Sequence, residues 1–395
     1  MNSEDEKSTK HRRGNSRYKK KKSIFSRILF CVMVCFVSAV IAAVITRWDL
    51  FSPSSIAEWI KFSDSTKDSF DVKISGTSVL EQNFKTDGKG IVYLSDTSIV
   101  QLNHDGETLF SEQHSFTNPV LKCCDLYAVA FNEGGANYKI ISEKGLIHSG
   151  SQGTAITDCD INDLGTYAVI SDQTGYLSKL SVFDKSNSYI FGYSFNDYYA
   201  VSVSLSPDGK MAAVGAVNSV EGQFVSKVYL LDFSSTKPLY VFDYNDQIIY
   251  DIKFITENKF VVVTDSMVSV NACDSGKEVP YSYGTRVLTA YDVTYSNNVV
   301  LSLSNSSDRR NCCVVTLDSK GSEIDSFQTD QKIISVDAKN DKIAVLASNM
   351  LYLYNAYGDL FNSWEIGTDA KCVLIPQEKT AYILGVSQMR KMNLK

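Results

Sequence analysis

VDAKNDKIAVLASNMLYLYNAYGD, residues 336–359, is the stretch whose reading decides the fold. It runs from a short strand through the polar turn Asn340-Asp341 to a second strand, Ile343 to Ala347. A tight turn at Ser348-Asn349 leads to a third strand, Leu351 to Tyr354, which closes on an Asn/Gly/Asp turn. Aliphatic, β-branched and aromatic residues fill the apolar runs, and no apolar stripe recurs every three or four residues, so the pattern is strand, not helix. The same succession returns in DINDLGTYAVISDQTGYLSKLSVFD (160–184) and in VSLSPDGKMAAVG (203–215) followed by SKVYLLDF (226–233). It returns again in IKFITENKFVVVTDSMVSVNACD (252–274) and in VTYSNNVVLSLS (293–304) followed by CVVTLDSKG (313–321).

Unit starts fall near residues 78, 117, 154, 198, 247, 287, 331 and 371, a spacing of about forty that matches a four-stranded propeller blade. The last unit has room for three strands, whereas Phe70-Asp71-Val72-Lys73-Ile74 is an orphan strand at the start. Pairing the two closes a ring and removes exposed sheet edges. The expected fold is therefore all-β, a β-propeller of eight blades over residues 70–395, with seven as the alternative.

Outward from the repeats, the N-terminal part is of another kind. Residues 1–27 hold ten Lys or Arg against three acids. With −6 overall and +7 in this tail, the rest of the chain stands at −13, a balance that argues against nucleic acid as a partner. Residues 28–46, ILFCVMVCFVSAVIAAVIT, are uncharged and long enough for a hydrocarbon core of roughly 30 Å. The run exceeds a cleavable signal's apolar region, so an uncleaved anchor is expected, with the bilayer as its partner. The basic flank predicts a cytoplasmic N-terminus and an extracytoplasmic C-terminal domain. Arg27, Arg47, Trp48 and Trp59 are the expected membrane-interface residues, and residues 47–69 read as a short surface helix and linker.

The segments Phe70 to Gly76, Asn83-Phe84, Leu94 to Thr97, Gly134-Gly135 with Tyr138, Gly175 to Leu180 and Leu205 to Lys210 also carry a resemblance. The chain is similar to a bacterial family, of the kind found in Gram-positive, clostridia-like organisms, catalogued only as a domain of unknown function. The resemblance implies a basic tail, one span and a propeller of the WD40 or quinoprotein-like kind. It implies no activity.

The chemistry is sparse. Three histidines fall in the large domain, His104, His114 and His148, and none sits in a nucleophile-base pattern; His104 reads as a solvated hairpin residue. Asp158, Asp160, Asn162 and Asp163 crowd together but lack the glycine and glutamate that a calcium loop requires. No metal site or cofactor is expected. The neighbouring pairs Cys123-Cys124 and Cys312-Cys313 would suit a vicinal disulfide of quinone-dependent propellers, although neighbours in a strand ordinarily face opposite sides.

The candidate site is a set of acids recurring in the first strands of several units, Asp160, Asp251, Asp292 and Asp337. They would either form an anionic ring at a channel mouth or cap backbone N–H groups repeated with the blades. Tyr198, Tyr199, Tyr281 and Tyr283 are expected to be exposed and to form a recognition face. The expected role is a membrane-anchored, non-enzymatic scaffold that binds a protein or cell-envelope partner. A quinone- or metal-dependent oxidoreductase and a cell-wall glycan-binding module are the alternatives.

Overall fold

Thirty-two strands and no helix make up the described part of the computed structural model, which covers residues 69–88, 90–293, 298–305 and 309–394. The basic tail, the expected span and the interface residues Arg27, Arg47, Trp48 and Trp59 lie outside the described residues. The strands group into eight antiparallel four-stranded sheets. Seven are consecutive in sequence: blades I (79–113), II (119–151), III (156–195), IV (199–245), V (249–282), VI (287–329) and VII (333–365). Blade VIII joins Cys372–Gln377, Thr380–Leu384 and Gln388–Asn393 to the N-terminal strand Phe70–Lys73. In that pairing Phe70 lies opposite Lys391 and Lys73 opposite Gln388. First strands begin at residues 79, 119, 156, 199, 249, 287, 333 and 372, each within two residues of the spacing read from the sequence.

Three belts of contact repeat around the ring. In the middle lie eight hydrophobic clusters, each shared by two consecutive blades. The cluster of Phe84, Tyr93, Leu102, Tyr382 and Met389 joins blade I to blade VIII and completes the circle. Both faces of the second strands are thereby covered, which is why they read as near-continuous apolar runs, as in Val299–Ser304, and in blade VI the third strand, Cys312–Leu317, is covered in the same way.

The inner belt solves a backbone problem. A first strand pairs on one side only, and its free edge carries N–H groups that need acceptors away from water. Polar side chains of the preceding first strand supply them. Asn83 Oδ1 accepts from Leu121 N at 2.9 Å, Ser204 Oγ from Phe254 N at 3.2 Å and Asp337 from Ile375 N at 2.6 Å. The outer belt sets large side chains of one blade's fourth strand against a turn of the next: Phe110 against Gly145, and Phe327 against Gly358.

Those third-to-fourth-strand turns explain the Asx-rich signature of the repeat. Asn103, Asp184, Asp318 and Asn355 each accept, through a side-chain oxygen, the N–H groups two and four residues on. The fourth turn residue has positive φ, +80° at Gly106. Gly106 is also where the ring closes: a Cβ there would lie 2.9 Å from side-chain atoms of Phe70 and Val72.

Gly106→Ala is therefore expected to lose about 2–4 kcal/mol, combining left-handed strain with overpacking of the closing strand. Gly222→Ala, with φ +83° and open space around it, is expected to lose only about 1 kcal/mol. Chemical denaturation of both variants checks the difference; equal losses would mean that the closing contact contributes nothing at this position.

Candidate functional site

Two regions concentrate polar chemistry: the channel walled by the first strands, and the end of the ring where those strands begin. In the channel, Asp160 accepts Leu205 N at 2.7 Å, Asp292 accepts Ala338 N at 3.1 Å and Asp337 accepts Ile375 N at 2.6 Å. Each of these acids reaches the first strand of the following blade. The repeated backbone-capping role holds, with the acceptor bridging two blades instead of folding back within its own entry loop.

Asp251 breaks the expected equivalence. It lies opposite Val263, one residue before Thr264 at the end of the second strand. Asp160 and Asp337 lie opposite Ala168 and Ala344, three residues before the ends at Ser171 and Ala347. Lys253, opposite Val261, holds that level in blade V. The four acids do not form one ring. Asp251 instead accepts Ile252 N at 2.9 Å and lies beside Tyr291, which burial and the Asp251 charge raise.

A lysine divides the acids further. Lys122 Nζ, from blade II, sits 2.7 Å from Asp158 and 3.4 Å from the carbonyl of Val203. Burial works against its charge, but the carboxylates of Asp158, Asp160 and Asp251 hold the ammonium above its ordinary range. Burial pushes Asp160 up to about 6 despite Lys122, and Asp337 up to about 8 with help from the neighbouring Asp292. Asp292 and Asp337 line a cavity of about 510 Å³ together with Glu81, Lys85, Tyr250, Tyr291 and Arg309. That volume suits a small polar ligand.

The crowded acids of blade III diverge. Asp158 holds Lys122 and Val203 N, Asp160 holds Leu205 N, Asn162 caps its own turn at Leu164 and Thr166, and Asp163 accepts Leu126 N. No group of three or more His, Cys, Asp or Glu among the described residues is arranged to hold a metal ion. The adjacent cysteines are free and face opposite ways. Cys312 packs between blades VI and VII while Cys313 packs between blades V and VI. Cys123 and Cys124 likewise join different clusters. His104 is buried rather than solvated, and its carbonyl accepts Lys391 Nζ at 2.8 Å, tying blade VIII to blade I.

The exposed aromatics are not those expected. Tyr283 is 1% exposed, at the blade V–VI boundary, and Tyr198, Tyr199 and Tyr281 are half-buried. Side chains that do stand free at the end where first strands begin include Tyr176, Leu177, Val220, Phe224, Ile248, Tyr250 and Val287. Among the described residues, Val220 and Phe224 belong to a feature without counterpart in the other blades. The strands Met211–Val220 and Gln223–Asp232 are ten residues each, against five or six in most others. The first strand of blade IV pairs only as far as Val217 and the fourth only from Val225, so residues 218–224 form a two-stranded ribbon beyond the sheet. The sequence signal was available in the extra length of NSVEGQF between two apolar runs.

Residues 64–394 match the family described as "Family of unknown function (DUF5711)". Among solved structures, the crystal structure of BamB from Moraxella catarrhalis superposes with a TM-score of 0.52 at 10% identity, covering 82% of this chain and all of that one. The β-propeller domain of Cps50 (Swd1) from Myceliophteria thermophila reaches 0.49 at 11% identity over the same 82%. At such identities the likeness concerns the fold alone. No curated protein matches the sequence.

A raised carboxylate binds its proton more tightly folded than unfolded, so Asp160 and Asp337 lower stability as pH rises from about 4 to about 8. Asp337→Asn keeps an acceptor for Ile375 N and removes the charge. Its melting temperature should match the parent near pH 4.5 and exceed it by several degrees near pH 8; a difference independent of pH would show Asp337 to be an ordinary ionised acid. Lys122→Met should cost about 2–3 kcal/mol near neutral pH by stranding Asp158, measured by denaturant titration.

Proposed function

We propose that this chain, which belongs to the family of unknown function DUF5711, is a membrane-anchored extracytoplasmic propeller that acts as a non-catalytic binding scaffold for a protein of the cell envelope. The observation that carries the reading is the contrast between the interior and one end of the ring. Inside, Asn83, Asp158, Asp160, Ser204, Asp292 and Asp337 are engaged in bonds that hold one blade to the next. At the end where the blades begin, apolar side chains project from a rigid frame on which loops and a ribbon can vary without disturbing the core. Exposed aromatic and aliphatic anchors of this sort are what protein recognition uses.

The anchor supports the location. The uncharged run of residues 28–46 and the basic flank before it support a propeller outside the cytoplasm through the positive-inside rule. The thiols fit a structural role: burial pushes Cys273 and Cys372 up to about 12, far from a reactive thiolate.

Two measurements test the reading. A cysteine placed at Ser219, on the exposed ribbon, should react with a membrane-impermeant maleimide on intact cells; labelling only after lysis would reverse the assigned topology. A photo-crosslinking residue at Phe224 or Tyr250 in the native membrane should give a discrete adduct. The same residue at Leu146 on the outer rim, or at Tyr357 at the opposite end, should not. Identical adducts from all four positions would remove the case for a recognition end.

A further inference from the structure

Resting on the scaffold reading, the structure assigns a partner chemistry to one sector of the recognition end: the ribbon of blade IV and the link into blade V form a docking surface for a basic, amphipathic polypeptide segment. Three observations converge on it.

The first is preorganised apolar surface. The ribbon is braced at its base on both edges, by Asn218 Nδ2 to the Asp197 carbonyl at 2.7 Å and by Asp246 N to the Phe224 carbonyl at 3.1 Å. The link continues to Ile248, whose N–H bonds the Asp265 carboxylate at 2.9 Å. Phe224, Ile248 and Tyr250 thus follow one another along a connected path, and each is at least 41% exposed. Side chains at even positions of the ribbon's second strand, as at Val228 and Leu230, face blade V, which turns Phe224 toward the side of the link into blade V, and Tyr250, beyond that link, opens onto the mouth of the channel cavity. Bracing removes ordering costs that a free hairpin would impose on binding.

The second is charge. At this end of the ring, the second-to-third-strand turns and the blade links from blade I to blade V carry Asp96, Glu133, Asp172, Asp197, Glu221, Asp246 and Asp265, and no Lys or Arg. The cations of the same end, Arg286, Arg309, Arg310, Lys332 and Lys371, all belong to the links and turns of blades V–VI through VIII. An end so divided steers a cation-bearing ligand to the ribbon side and repels nucleic acid and anionic lipid from it.

The third is open backbone. Residues 218–224 extend past both neighbouring strands, so the ribbon edges offer N–H and C=O groups to an extended segment. The partner that fits all three is a polypeptide setting apolar side chains on Phe224, Ile248 and Tyr250 and Lys or Arg among Asp197, Glu221 and Asp246.

The test uses the full chain in zwitterionic nanodiscs, with empty nanodiscs as the blank. The probes are a labelled Lys/Leu/Trp amphipathic peptide and its Glu-for-Lys counterpart, followed by fluorescence anisotropy. The cationic peptide is expected to bind at least about tenfold more tightly and to weaken as salt rises. Glu221→Lys with Asp246→Lys, and separately Phe224→Ala with Tyr250→Ala, should each weaken it about tenfold. Lys332→Glu with Lys371→Glu should leave it within about twofold.

Equal binding of both peptides, or losses only with the Lys332 and Lys371 reversals, overturns the inference. So does binding that emerges only when residues 1–27 are removed, which would make the chain's own basic tail the occupant. If crosslinks at Phe224 and Tyr250 still capture a partner that the cationic peptide does not displace, only the partner chemistry falls. If they capture nothing, the scaffold reading falls with it.

Discussion

Every blade of this ring has two apolar faces, and each face is covered only by another blade. Eight sheets satisfy that requirement together when the last packs on the first, so the contact between Phe70–Lys73 and Gln388–Asn393 is the one on which the others depend. The burial involved is large and non-directional, and by itself it would tolerate blades sliding past one another. The polar belts remove that freedom. Side chains of the first strands reach N–H groups of the next blade at fixed register, and Lys391 reaches the His104 carbonyl across the closure. Hydrophobic burial gives the ring its cohesion; the inner hydrogen bonds give it one geometry.

That division explains what could be read in advance. The apolar runs and the polar turns repeat because each blade meets the same two neighbours, so the blade count followed from unit starts about forty residues apart, and the closing strand from the orphan run Phe70 to Ile74 beside a last unit with room for three strands. The acids of the first strands were harder to place. Asp251 looks equivalent to Asp160 and Asp337 in the sequence because an apolar residue follows each. Yet Asp251 pairs with Val263 and so lies two residues earlier in its strand, level with Asp158, which pairs with Ile170, while Lys253 holds the level of Asp160 and Asp337. An acid followed by an apolar residue occurs at two successive same-face positions of one first strand, Asp158 and Asp160, so that pattern alone does not say which rung of the ladder an acid occupies.

Exposure was the least legible property, for the same reason. Tyr283 and Tyr250 both sit near blade starts among polar residues, but Tyr283 lies where blade VI packs on blade V and is buried, while Tyr250 points out beside the cavity. Which of two similar aromatics is covered depends on the neighbouring blade, a contact remote in sequence. His104 was misread likewise: its hairpin looks solvated until the C-terminal strand of the closing blade is laid against it.

The departures from the repeat are therefore where function is best sought. A ring stabilised by eight near-equivalent interfaces constrains every residue that faces another blade, and Phe110, Phe327 and the glycine turns they meet have little room to vary. The ribbon of blade IV escapes the constraint, because residues 218–224 lie beyond the pairing of both flanking strands. Its ten-residue strands contribute nothing to the closure that a shorter hairpin would not, and they place Phe224 in water. An exposed aromatic on a braced extension is an added feature of the surface, and the one-sided charge around it gives that surface a direction.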